Sequence, residues 1–242
     1  MTKNDKIVLI TGANKGLGKE TARQFALLGY TVVIAARDIK SGDAVVTELR
    51  SLDCDAHAIK LDVTNPEDIS NCVNYIETTF GKLDVLVNNA GVVLEWDGNP
   101  TSADKIRQTL EVNLIAPFAI TEALVPLLSL STDARVINQS SILGSIDTAE
   151  KMWKDVSKFM SVGYATSKTG LNMLTQIQSK TLAEKGILVA ASHPGWVKTD
   201  LGTAEAPMEV KEGASTVVSL VTVSRDEFPN GQLVHNLARI AW

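Results

Sequence analysis

The run Lys6-Ile7-Val8-Leu9-Ile10 passes straight into Thr11-Gly12-Ala13-Asn14-Lys15-Gly16-Leu17-Gly18, and no other junction in the 242 residues narrows the possible folds as far. A short apolar run rich in β-branched residues reads as a buried strand. Behind the glycines, Ala22, Phe25, Ala26 and Leu28 form an apolar helical face that stops near Gly29. Strand, glycine turn and helix in that order let the backbone approach a pyrophosphate. Glycine allows the tight turn, and the helix N-terminus offers unpaired N–H groups and the positive end of its dipole. The spacing is Gly-x-x-x-Gly-x-Gly rather than Gly-x-Gly-x-x-Gly, so an ordinary strand-to-helix turn is the competing reading.

The same alternation repeats down the chain. Further strands are expected at Thr31–Ala36, Ala56–Leu61, Leu83–Val87, Ala134–Asn138, Ile187–Ala191 and Gln232–Val234. Helices are expected over Ser41–Arg50, from Asn65-Pro66-Glu67-Asp68 to Gly81, over about 103–130, from Tyr164 to about Lys185, and over Val210–Val221. Asn65 as N-cap with Pro66 at the first helical position marks one start, and Pro117 and Pro126 predict a kink or break in the long fourth helix. Apolar strands alternating with helices argue for a seven-stranded parallel sheet covered on both faces. Asn88-Asn89-Ala90-Gly91, Ser140-Ser141 and His193-Pro194-Gly195 each follow a strand, so they gather with the glycine turn at the carboxyl edge, where such sheets bind ligands.

Bulk properties exclude several classes. No Pro/Gly/Ser-rich tract or charge block divides the chain, so one domain over 1–242 is expected. The net charge of −5, with acids and bases interspersed, leaves no nucleic-acid footprint. No apolar run is read as membrane-spanning, and no apolar secretory region precedes the first strand. Cys54 and Cys72 share no metal or redox spacing, which fits a reduced, cytoplasmic protein. His57, His193 and His235 lie far apart, and no metal is expected.

Chemistry points to Tyr164 and Lys168. Four residues apart on a helix, they share a face. An ammonium beside a phenol favours the phenolate; at ~4 Å and an effective dielectric of ~20 the interaction is ~4 kcal/mol, which would bring a tyrosine from ~10 toward ~7. Such a phenol exchanges a proton with a carbonyl or alcohol oxygen. A Tyr-x-x-x-Lys also arises by chance on helices, so the pair needs the rest of the chain behind it.

Taken together, Thr11-Gly12-x-x-x-Gly16-x-Gly18, Asp62, Asn88-Asn89-Ala90-Gly91, Asn113, Ser141, Tyr164-x-x-x-Lys168, Pro194-Gly195 and Thr199 resemble the short-chain dehydrogenase/reductase family over nearly the whole length. Ala36-Arg37-Asp38, Gly195-Trp196-Val197-Lys198-Thr199-Asp200 and the ending Gly231-Gln232-Leu233-Val234…Trp242 are similar to its carbonyl reductases. The resemblance implies a Rossmann-type doubly wound fold and NADPH-dependent reduction of a ketone or aldehyde. It implies Tyr164 as general acid, Lys168 as the group that lowers its pKa and holds the nicotinamide ribose, Ser141 (rather than Ser140) on the substrate oxygen, and Asn113 supporting a water relay. Gly12, Asn14, Lys15, Gly16, Leu17 and Gly18 would cradle the cofactor. Asp62 and Val63 would meet the adenine edge, Asn89, Ala90 and Gly91 would line the nucleotide, and Pro194, Gly195, Val197 and Thr199 would cover the nicotinamide. A secondary-alcohol dehydrogenase and a catalytically silent dinucleotide-binding regulator are the competing functions.

The second strand ends in Ala36-Arg37, and Lys15 lies in the glycine turn, so a 2′-phosphate would meet cations where NAD enzymes place a carboxylate; this favours NADP(H), with the adjacent Asp38 weighing against it. Trp96, Trp153 and Trp196 point to an apolar or ring-bearing substrate. The gap between Ser141 and Tyr164 is longer than in family members without an insertion. Met152, Trp153, Val156, Phe159 and Met160 at helical spacing predict a short inserted helix within about 143–162. The resemblance implies assembly through the long helices around Asn113 and Lys168. Folded back on its own subunit, the inserted helix would cap that face; turned outward, it would form an apolar interface patch. The carbonyl reductase-like ending at Trp242 favours a monomer over a homodimer or homotetramer.

Overall fold

The computed structural model describes residues 5–95, 101–148, 151 and 161–242. The insertion residues Met152, Trp153, Val156, Phe159 and Met160, and also Trp96, lie outside that set. The first half alternates β1 (Ile7–Thr11), α1 (Gly16–Leu27), β2 (Thr31–Ala36), α2 (Ile39–Arg50), β3 (Ala56–Lys60), α3 (Pro66–Phe80) and β4 (Val85–Asn88). Then come α4 (Ala103–Leu110), a π-helical turn (Glu111–Ile115), α5 (Ala116–Leu128), β5 (Arg135–Gln139), α6 (Val162–Thr181), β6 (Leu188–Ser192), α7 (Val210–Thr222), β7 (Leu233–His235) and β8 (Ala238–Ile240).

These strands form one sheet in the order β3-β2-β1-β4-β5-β6-β7-β8. The pairs from β3 through β7 are parallel, with the register Ile7↔Thr31 and Val8↔Val85 at the centre. Strand order reverses between β1 and β4, which opens a crevice at their carboxyl ends. Eight strands replace the expected seven. β8 returns antiparallel to β7 through a tight turn at Asn236 and Leu237, whose φ values are +48° and +65°. Its residues are exposed or half-buried, so Ala238-Arg239-Ile240 carries no apolar run to announce a strand.

Side-chain alternation divides the core into two layers. Val8, Ile10, Val32 and Ile34 pack with Phe25, Leu49 and Leu220 beneath α1, α2 and α7. Ile7, Leu9, Val33, Leu86 and Val136 face the opposite way, onto Ile76, Leu124 and Leu128 of α3 and α5. Helix ends follow ordinary capping chemistry. The Asn65 side-chain Oδ1 accepts from Glu67 N at 2.9 Å ahead of Pro66, and α3 stops at Gly81 in the left-handed region, φ +74°.

The long helical stretch Ala103–Leu128 is not broken at its prolines. A π turn absorbs Pro117 instead. Pro117 stands four residues after Asn113 and has no N–H, so the Asn113 carbonyl loses its α-helical donor. By length and composition this stretch is long and apolar enough to cross a membrane, contrary to the sequence reading. In the fold its α5 part lies on the sheet, with Ile120, Leu124 and Leu128 buried. The Ile115 and Phe118 side chains of this stretch and Met173 and Ile177 of α6 are exposed.

Candidate functional site

A cleft of about 480 Å³ runs along the carboxyl edge of the sheet. Gly12, Arg37, Asp62, Asn89, Ser141, Tyr164, Lys168, Pro194 and Thr199 line it, as do the remaining expected cradle residues Asn14, Lys15, Gly16, Leu17, Gly18, Val63, Ala90, Gly91, Gly195 and Val197. Asn113 does not line it; it stands behind, fully buried.

The glycine end is a backbone surface. Gly12 and Gly16 have φ of +63° and +52°, which other residues adopt at a cost. A Cβ on Gly18 would lie 2.4 Å from Asn89 Nδ2 and 2.6 Å from the Gly12 oxygen. Asn89 cannot yield, because its Nδ2 donates to the Thr11 oxygen at 2.8 Å. The Thr11 hydroxyl accepts from Asn89 N and Ala90 N, both at 3.0 Å, and so ties the β4 turn to the β1 turn. Lys15 precedes α1 and makes no side-chain cap, so nothing from this chain's N-cap occupies the first-turn N–H groups. A glycine cradle with no room for a Cβ, ending on an uncapped helix N-terminus, fits a pyrophosphate.

Lys15, Arg37, Asp38 and Asp200 at this end are exposed, and Asp62 is half-buried. Arg37 sits beside Asp62 at the cleft wall and contributes to holding that carboxyl below its usual range; the hydrogen bond from Thr64 N is the largest cause. Asp62 also accepts from the Thr64 hydroxyl at 2.8 Å. Asp38 caps α2 by accepting from Lys40 N at 3.1 Å, so its carboxylate has a structural task of its own. Lys15 Nζ is paired with Asp200 across the cleft mouth at 2.6 Å.

The other end is built from side chains, with Lys168 and Ser141 buried and Tyr164 half-buried at the cleft wall. Tyr164 and Lys168 project from one face of α6, with Lys168 Nζ 5.5 Å from the centre of the Tyr164 ring. Ser141 hydrogen-bonds the Tyr164 phenol. Ser140 turns away and donates to Asn172 Oδ1 at 2.6 Å. The Asn113 side chain accepts from Val92 N at 2.9 Å and donates to the Val92 oxygen and the Ser167 hydroxyl. It therefore stitches the π turn to the β4 loop and to α6.

The expected fall of the Tyr164 pKa toward ~7 is not what this arrangement gives. Burial pushes the phenol up to about 12, and the hydrogen bond from Ser141 offsets only part of that. The hydrogen-bond partner of the Lys168 ammonium is a backbone carbonyl, not the phenol. Nζ donates to the Gln139 carbonyl at 2.7 Å, and burial lowers its pKa to about 8. The charge that would stabilise a phenolate is thus itself weakened by desolvation.

Sequence reasoning passed over His193, although it marked the His193-Pro194-Gly195 turn. His193 lines the cleft and its Nδ1 accepts from Ile142 N at 3.2 Å, which steadies the Ser141 loop. Burial first, and then the neighbouring His235, lower its pKa to about 4, so it is neutral at physiological pH. Trp196 is half-exposed at the cleft wall and donates from Nε1 to the Gly202 oxygen at 2.5 Å. Val93, Ile142, Leu143 and Leu201 complete an apolar wall whose members carry no motif. No group of His, Cys, Asp and Glu that could hold a metal occurs among the described residues.

Comparison with known proteins gives a consistent picture. The family model described as short chain dehydrogenase matches residues 6–210. Carbonyl reductase (NADPH) 3 of Rattus norvegicus is 32% identical over 283 residues, covering 100% of both chains. (+)-Neomenthol dehydrogenase of Arabidopsis thaliana is 30% identical over 282 residues, covering 93% of this chain and 94% of that one. Among solved structures, the NADPH-bound carbonyl reductase from chicken fatty liver superposes with a TM-score of 0.88 at 27% identity, covering 99% of this chain and 100% of that one.

Proposed function

Because this chain belongs to the short chain dehydrogenase family, we propose that its cleft reduces a ketone or aldehyde to an alcohol with NADPH, Tyr164 supplying the proton. The observation that carries the reading is the constellation of Ser141, Tyr164 and Lys168 at one end of a cleft whose other end is a glycine cradle. The NADPH-bound relative of the same fold and the NADPH-dependent carbonyl reductases among the relatives support the cofactor. The whole of 1–242 works as one domain in this reading.

Gly12, Gly16 and Gly18 hold the pyrophosphate against the N-terminus of α1, with Asn14 and Leu17 completing the turn. Arg37 and Lys15 take the 2′-phosphate; Arg offers it a planar fork of donors. Asp62 and Val63 meet the adenine, Asn89, Ala90 and Gly91 line the ribose side, and Pro194, Gly195, Val197 and Thr199 cover the nicotinamide. When bound, NADPH supplies a hydride to the carbonyl carbon. The protein's part is the oxygen. The Ser141 hydroxyl donates to it and fixes its position, and Tyr164 transfers its phenolic proton as charge develops there. A phenol raised to about 12 is protonated at every physiological pH, which is the state a proton donor needs. Lys168 shares the Tyr164 face of α6 and holds the nicotinamide ribose. With one of its three N–H groups on the Gln139 carbonyl, it keeps the others to relay a proton toward the phenol, while Asn113 holds the helix in register. Trp196 forms part of the substrate wall; Trp96 and Trp153 are assigned there from the sequence pattern alone.

Oxidation of a secondary alcohol by the same groups in reverse is the second reading, favoured by the (+)-neomenthol dehydrogenase relative. One experiment separates them: loss of 340 nm absorbance from NADPH against a panel of ketones and aldehydes, beside its gain from NADP⁺ against the matching alcohols at the same pH. Faster carbonyl reduction supports the reductase. NADPH binding without turnover in either direction would contradict both, and would favour a silent dinucleotide-binding regulator.

A further inference from the structure

Glu95 lies in the segment after β4, well away in sequence from Tyr164, yet its carboxylate sits on the first turn of α6. Oε2 accepts from Gly163 N at 2.6 Å and from the Ser161 hydroxyl. Ser161 is the N-cap of α6, and the same hydroxyl accepts from Tyr164 N at 3.2 Å. The reacting tyrosine is therefore held through one serine by a carboxylate from another loop. Residue 163 must be small for this to happen, since a Cβ there would stand 3.0 Å from Oε2 and 3.3 Å from Ile106 Cα. Burial raises the Glu95 carboxyl, and the hydrogen bonds from Ser161, Gly163 N, Thr101 and Tyr164 N together more than offset that, so its pKa is held below the usual carboxylate range. A negative charge at a helix N-terminus is favourable.

Lys168 does not depend on this tie. One turn further along, Nζ is pinned by the Gln139 carbonyl. The Lys168 backbone is pinned by Gly144, where a Cβ would come within 2.6 Å of it. Asn172 fixes the same contact by donating to the Gly144 oxygen at 3.0 Å. The first turn of α6, with Tyr164, has the loop carboxylate as its anchor; the second turn, with Lys168, has β5 and the Ser141 loop.

We propose that Glu95 is a positioning residue for catalysis: a latch from the β4 loop onto the first turn of α6 that sets where the Tyr164 phenol stands, separately from the anchoring of Lys168. The inference rests on the reductase reading above, and predicts a split that a general helix cap would not produce.

The test uses the full chain with Glu95→Ala, Glu95→Gln and Ser161→Ala, each checked for fold by circular dichroism. Glu95→Ala should lower kcat about 10- to 100-fold, the effect of roughly an ångström of misplacement. NADPH affinity, read by fluorescence titration, should stay within about twofold, because Lys168 and the glycine cradle keep their own anchors. Glu95→Gln keeps an acceptor oxygen and should recover most of kcat. Ser161→Ala, which leaves the Gly163 bond in place, should fall between them, and carries the test if Glu95→Ala does not fold. Unchanged kcat in the alanine variants would overturn the latch, as would equal losses of kcat and NADPH affinity. Amide hydrogen exchange at Gly163 and Tyr164 reads the latch without turnover: it should accelerate in Glu95→Ala and not in Glu95→Gln. A wild-type protein that reduces no carbonyl, yet shows that exchange pattern, would overturn the reaction assigned above and leave the latch standing.

Discussion

Around Gly12, Gly16 and Gly18 the cleft is shaped by backbone, and its ionisable side chains, Lys15, Arg37 and Asp200, stand in solvent. Around Tyr164 it is shaped by side chains, and Lys168, Asn113 and Ser141 are buried. The difference decides what each end can tolerate. At the glycine end a Cβ is the damaging change, while charges can be exchanged and alter mainly which dinucleotide is preferred. At the tyrosine end a charge is costly wherever it sits, so each group's protonation is coupled to the stability of the fold.

Lys168→Met tests that coupling with the largest expected effect. It should damage both kcat and NADPH affinity, because a ribose contact and a proton source leave together. It should also stabilise the protein at neutral pH. Lys168 has its pKa lowered from 10.5 to about 8, so the unfolded chain binds the proton more tightly. The wild type thus carries a penalty below pH 8 of about 3 kcal/mol, at ~1.4 kcal/mol per unit, and sheds it as pH rises from 8 to 10.5. Chemical denaturation should show the variant's advantage shrinking across that window. An advantage that is constant with pH would mean that Lys168 is not desolvated.

Arg37→Asp probes the exposed end. It replaces a phosphate partner with a repelling charge, so NADPH affinity should fall roughly 10- to 150-fold and the gap to NADH should narrow. Wild-type preference for NADH would break the assignment of Lys15 and Arg37. The pH profile of reduction comes next. As Lys168 loses its proton above about 8, kcat should decline by up to tenfold per unit. A flat profile to pH 10 would remove Lys168 from the proton path. The smallest effect belongs to Asp200→Asn. Freed of its partner, Lys15 should hold NADPH roughly 2- to 5-fold more tightly, with NADH unmoved, as an exposed pair permits. Equal changes for both dinucleotides would mean that Lys15 does not meet the 2′-phosphate.

The two ends also differed in legibility. β1, β2 and the helix after Asn65 lie within a residue or two of where apolar runs and capping residues put them. The glycine turn could be read because its chemistry is local: the residues that shape it are consecutive. β8 could not, since it is short and exposed and is defined by pairing with β7. Neither could the π turn, where Pro117 shifts a hydrogen-bond ladder without ending the helix. The direction of the Tyr164 pKa was misjudged for a related reason. Spacing placed Lys168 on the same face, but only the fold shows its ammonium bonded to Gln139 and both groups desolvated. Glu95 and His193 act across long sequence separations and had no motif to mark them.

Everything at the buried end converges on one phenolic proton, and replacing Tyr164 with Phe removes it while keeping the ring. The decisive measurement is NADPH oxidation by Tyr164→Phe beside NADPH binding by the same preparation, using a carbonyl that the wild type reduces. With Tyr164 as proton donor, turnover should fall by at least about 10²- to 10⁴-fold while NADPH affinity stays near that of the wild type. Turnover close to wild type, with binding intact, would contradict the assignment of Tyr164 and the mechanism built on it.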